Sequence, residues 1–193
     1  MASADEILEF WLGPEQERDR VPESVTRRWW RKSAELDAEI RERFGDDVER
    51  AGRGELDSWL QTPRGRLAVV ILLDQFTRNI HRDSGAMYDH DAAALRIAEE
   101  GIERGDDRAL RMHERQFLYM PLMHAESPPA QERCCELFEQ LASEAPWLDV
   151  RDFAVRHRDI VARFGRFPHR NELLGRETTP DEAEFLKQPG SSF

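Results

Sequence analysis

The chain has 193 residues, of which 39% are hydrophobic and 35% charged, and a net charge of −11. That length predicts one domain, able to bury roughly 70% of its unfolded surface without disulfide or metal staples. The negative field excludes general nucleic-acid binding, which needs a positive surface, and no run of 18 apolar residues is present to cross a membrane.

The N-terminus "MASADEILEFW" has neither the basic region nor the long apolar run of a signal peptide, so a cytoplasmic protein is expected. Ser3 and Glu6 form a capping box that predicts a first helix. A polar loop follows over 13–23. Trp29 and Trp30, with Phe10 and Trp11, read as core anchors. Leu36, Ile40 and Phe44 recur every four residues, the spacing of a helix. From Leu67 to Leu73 the chain is apolar on nearly every side, which predicts a central helix buried all round. The next helix is expected to start at an Asp89 cap and stop near Gly105. Another precedes Pro121, which should kink or end it. Ser127 and Pro128 open a helix that carries the two cysteines, Cys134 and Cys135. Adjacent helical residues point about 100° apart, so these two do not pair with each other, and no second pair exists to build a zinc site. Phe153, His157, Ile160 or Val161, and Phe164 share one stripe of a helix that ends at Gly165. Thr179, Pro180 and Glu182 cap a last helix, and the tail from about 187 reads as flexible apart from a docking of Phe193. No alternating β-branched run occurs, so the fold class is all-α in one domain.

Two stretches carry chemistry. Asp74 lies inside "VVILLDQF", where a carboxylate must be paired or protonated. Arg78 and Arg82 follow at i+4 and i+8, with Gln75 and Asn79 beside them. The second is "RFGRFPHRNELLGRE", which brings Arg166, His169, Arg170, Asn171 and Arg176 together with Phe164 and Phe167. Arginine's planar fork suits a carboxylate or a phosphate. The same pattern also fits a network that pins the C-terminal segment to acidic helices, and both readings stand at this point. His124, Glu126, His157 and Asp159 have no recognised metal-ligand spacing. No phosphate loop, nucleophile elbow or dinucleotide fingerprint is present, so neither metal nor cofactor is expected.

Taken together, "EFWLG", "RRWWRKSAELDAEIRERF", "LAVVILLDQFTRNIHR", "RQFLYMPLMHAES" and "HRDIVARFGRFPHRNELLGRETTPDEAEFL" resemble a bacterial family of uncharacterised proteins, domain-of-unknown-function family nine hundred and twenty-four. The resemblance spans essentially the whole chain. It implies a TPR-like fold of antiparallel helices stacked into a curved layer, and no established activity. Thr77 and Asp83 depart from the family pattern, which has proline and glycine there, so the turn after the central helix is where this chain should differ.

These observations favour a binding protein that holds an anionic small molecule or an acidic peptide. Its expected ligand set is Asp74, Arg78, Asn79, Arg82, Arg166, His169, Arg170, Asn171 and Arg176. The peptide reading rests on analogy with TPR-like scaffolds. The alternative is an enzyme acting on an anionic substrate, with His124, His157 or His169 as general acid or base. A third reading is a structural protein whose charges only bind its own segments together.

Overall fold

The computed structural model of the protein describes residues 1–148 and 150–192, so the expected docking of Phe193 lies outside the described residues. Helix α1 (Ala4–Leu12) starts at the Ser3–Glu6 capping box and buries Ile7, Leu8, Trp11 and Leu12, one face at helical spacing. Helix α2 (Glu23–Trp30) buries none of its residues. Helix α3 (Ala34–Gly52), capped by Ser33, turns Leu36, Ile40, Phe44 and Val48 inward.

The centre of the molecule is one continuous rod. Thr62 caps α4 (Pro63–Val70), with Pro63 in the first turn. The helix then widens into a π segment at Ile71–Phe76 and continues as α5 (Thr77–Ile80). Every residue from 65 to 77 is buried, because α1, α3, α6 (Asp91–Arg104) and α7 (Met112–His124) all pack on the rod. The π turn has a local cause: the Thr77 N–H and Oγ1 both donate to the Leu72 carbonyl five residues back. A proline at position 77 would have no such N–H to give. Asp83 holds a left-handed φ of 61° in the turn after the rod.

Beyond the rod the helices pack in sequence: α6 on α7, α7 on α8 (Pro128–Glu144), and α8 on α9 (Arg151–Phe164). Gly165 ends α9 in the left-handed conformation. The chain returns through a short turn at Pro168–Arg170 to α10 (Pro180–Phe185), whose Thr179–Glu182 capping box forms as expected. Ile160, Val161 and Phe167 make a small second core, against which Phe164 and Phe185 pack. Among the described residues there are no strands, and no helix is long and apolar enough to cross a membrane.

Four expectations need correction. Pro121 does not end α7, which runs on to His124; the proline falls in the last turn, where packing against α8 holds the helix together. Helix α6 starts at Asp91 and not after an Asp89 cap, which frees the Asp91 carboxylate for arginines. Trp30 is no core anchor but is 57% exposed, and Phe153 on α9 is 48% exposed. The two rings stack on each other at 6.4 Å.

Candidate functional site

The expected site residues fall into three groups, apart from His169, whose ring lies 5.7 Å from that of Phe167. The first surrounds Asp74. The π turn sets this carboxylate inward, where it is fully buried. Its Oδ1 lies 3.1 Å from Arg78 Nη1 and 2.7 Å from His124 Nδ1, and its Oδ2 accepts from Gln75 Nε2 at 2.6 Å. Burial alone would raise the Asp74 pKa; the charges of Arg78 and His124 outweigh it and hold the acid well below the usual carboxylate range. Arg78 also pairs with Asp91 at 2.8 Å. Arg170, arriving from the C-terminal loop, reaches the same Asp91 at 3.3 Å and donates to the His124 carbonyl at 2.8 Å. The Arg170 guanidinium lies over Tyr88 and Phe167, at 4.6 and 4.5 Å from the ring centres. The loop is thus bound to the Asp74 end of the rod through a shared carboxylate.

The second group fixes the loop to itself and to the end of α7. Arg176 grips Glu126 with two bonds, at 2.7 and 3.0 Å, and donates to the Phe167 carbonyl, while Glu126 accepts the Phe167 N–H. Arg166 holds Glu182 in the same bidentate way, at 2.7 and 2.9 Å, and Asn171 Nδ2 reaches Glu182 and Thr178. The third group lies on the other side of the rod. Arg82 pairs with Asp37 and with Asn79 Oδ1, and with Asn79 it lines a cavity of about 410 Å³ beside Lys32, Arg41 and Asp83.

All five expected arginines therefore meet protein carboxylates. Arg170→Gln should cost about 2 kcal/mol, because the buried cation binds both Asp91 and α7. Adding Arg166→Gln should lower the urea midpoint further, since it strands Glu182. Unchanged stability in the double variant, with phosphate protection present in the parent and lost in the variant, would return these side chains to a ligand.

Of the three histidines considered for catalysis, His124 is held by Asp74. His157 sits 2.7 Å through Nδ1 from the Phe153 carbonyl, and its ring is 6.3 Å from that of His124. Burial lowers the pKa of His157 to about 3 and that of His169 to about 4. Among the described residues no three His, Cys, Asp or Glu side chains converge as a metal ion requires.

Sequence reading missed a second region. A cavity of about 610 Å³ opens between α2, the start of α7 and the connection before α9, walled by Trp29, Trp30, Trp147 and Arg20 and floored by His113 and Gln116. The floor is built by a buried pair. Arg18, in the polar loop over 13–23, donates to Glu114 at 2.8 Å and to the Gly13 carbonyl, and accepts the His113 N–H on its own carbonyl. Glu114 also caps α7 by accepting the Arg111 N–H. The His113 ring stacks on Trp147 at 5.3 Å and leans on Trp29 at the same distance. The Trp29 indole N–H is committed to the Trp11 carbonyl at 2.9 Å. His113 and Gln116 are 3% and 2% exposed, yet His113 Nδ1 and Gln116 Oε1 have no hydrogen-bond partner among the described residues. The available signal was the polar run "ESVTRRWW": two tryptophans at the end of a helix with no apolar face to bury them.

The model for bacterial proteins of unknown function, DUF924, matches residues 7–190 of this chain. The chain belongs to that family. A solved DUF924-like structure, a protein of unknown function from Agrobacterium tumefaciens, is 40% identical. It aligns over 95% of this chain and 96% of its own, with a TM-score of 0.83. None of the curated proteins matches. Membership in DUF924 fixes the helical fold and carries no activity with it.

Proposed function

We propose that the protein is a binding protein whose ligand enters the tryptophan-walled cavity between α2 and α7. The unpartnered, buried His113 Nδ1 and Gln116 Oε1 on the cavity floor carry this reading. A buried polar atom without a partner costs about 1–3 kcal/mol, and two of them one helical turn apart, on residues that line the same cavity, point to something they meet in use. Three indole rings offer the large, rigid walls typical of small-molecule sites. The pairing of successive helices α6 to α9 agrees with the TPR-like layer that the family resemblance implies. An anionic ligand at the C-terminal loop has less to hold it, since each cation there already faces a carboxylate.

The test is a screen of small aromatic probes of positive, neutral and negative charge, read by tryptophan fluorescence and thermal shift. Saturable binding that Trp147→Ala weakens at least about tenfold, equivalent to about 1.4 kcal/mol, is expected. Gln116→Leu should keep or raise stability, because it removes an unmet acceptor, and should weaken binding. Binding that neither change affects, or no saturable binding at all, removes the cavity reading.

One specific observation favours the enzyme reading as second. A fully buried carboxylate 2.7 Å from a histidine Nδ1 orients the ring and supports positive charge on it, as a general base requires.

A further inference from the structure

Resting on the cavity reading above, we infer that its ligand is an organic cation: an amine carried on an apolar or aromatic body. Gln116 Oε1 can only accept a hydrogen bond, so whatever completes it must bring a donor. His113, one turn back on α7, offers Nδ1 as a second acceptor when the ring proton is on Nε2. An ammonium group supplies three donors and no acceptor, which suits two acceptors on one helix face.

The walls agree. Indole is the best aromatic face for a cation, and three indoles bound this cavity. The protein already places one cation on such a face: the Arg20 guanidinium lies 5.9 Å from the Trp147 ring centre. Arg20 is itself exposed at the rim, so its charge is largely screened by water and leaves the floor open to a second cation. Glu23 lines the same rim, as exposed as Arg20 and paired with Arg27, so the charges at the rim largely cancel. The whole chain, at −11, draws cations and repels anions as they approach. A carboxylate or phosphate would meet all of this with the wrong sign and would leave Gln116 Oε1 unsatisfied.

The experiment compares three probes of one shape, 2-phenylethylammonium, 2-phenylethanol and phenylacetate, by calorimetry at fixed ionic strength on the full chain. The ammonium probe is expected to bind at least about tenfold tighter than the alcohol, with the carboxylate weakest. Gln116→Leu should narrow the difference between amine and alcohol. If the alcohol or the carboxylate binds as tightly as the amine, through a site that Trp147→Ala removes, the cation inference is overturned and the cavity reading stands. If no probe shows Trp147-dependent binding, both are overturned.

Discussion

Asp74→Ala is expected to cost about 3–5 kcal/mol, the cost of stranding the partners of a buried charge. Arg78 would keep Asp91 and the backbone carbonyl of residue 74 but lose its buried counter-charge, His124 would lose the acceptor that fixes its ring, and Gln75 Nε2 would lose its closest partner. For a domain of this length each kcal/mol moves the melting temperature by about 2–4 °C, so the fall should be roughly 6–20 °C by calorimetry. Asp74→Asn keeps the shape and one acceptor oxygen but removes the charge, and should fall between parent and alanine variant. A change within error for both would mean that the carboxylate contributes no net pairing and that the rod closes without it.

Stability should also fall steeply on mild acidification. His113 and His157 are buried, and burial lowers their pKa values to about 4 and about 3. In the unfolded chain both titrate near 6.5. At pH 7 and above they are neutral in both states and give no pH dependence. As pH falls below about 6.5 the unfolded chain binds protons that the fold refuses, so the folded state loses about 1.4 kcal/mol per pH unit for each histidine. Together they should remove about 2.7 kcal/mol per unit between pH 6 and about 4.5, with His169 acting in the same direction. The depressed carboxylates, Asp74 and Glu126 among them, lose their contribution only at still lower pH. Urea midpoints at pH 7.5, 6.0 and 5.0 test this, and His157→Gln should flatten the slope by about a third. A midpoint that holds steady from pH 7.5 to 5.0 would show these rings to be hydrated.

By itself the sequence determined whatever depends on neighbours a few residues apart. The capping boxes at Ser3 and Thr179 form because their partners lie three residues on. The buried rod follows from an apolar run with no polar face to expose. The Asp74–Arg78 bridge follows from an i,i+4 spacing that the helix closes. Tertiary structure alone decided the partners that arrive from elsewhere in the chain. His124 comes to Asp74 from 50 positions away, and Arg176 to Glu126 from the same separation, and no local pattern encodes either meeting. The loop arginines looked like ligand donors because their acceptors were invisible in sequence. Once folded, the chain supplies a carboxylate to each of them. The cavity was hidden for the opposite reason. Trp29 and Trp30 looked like core because large aromatic rings are usually buried, but the chain brings them no apolar surface that would cover Trp30, and among the described residues it leaves His113 Nδ1 and Gln116 Oε1 beneath them without a hydrogen bond. Spacing along a chain tells which groups can satisfy one another locally; only the packed molecule shows which groups are left unsatisfied.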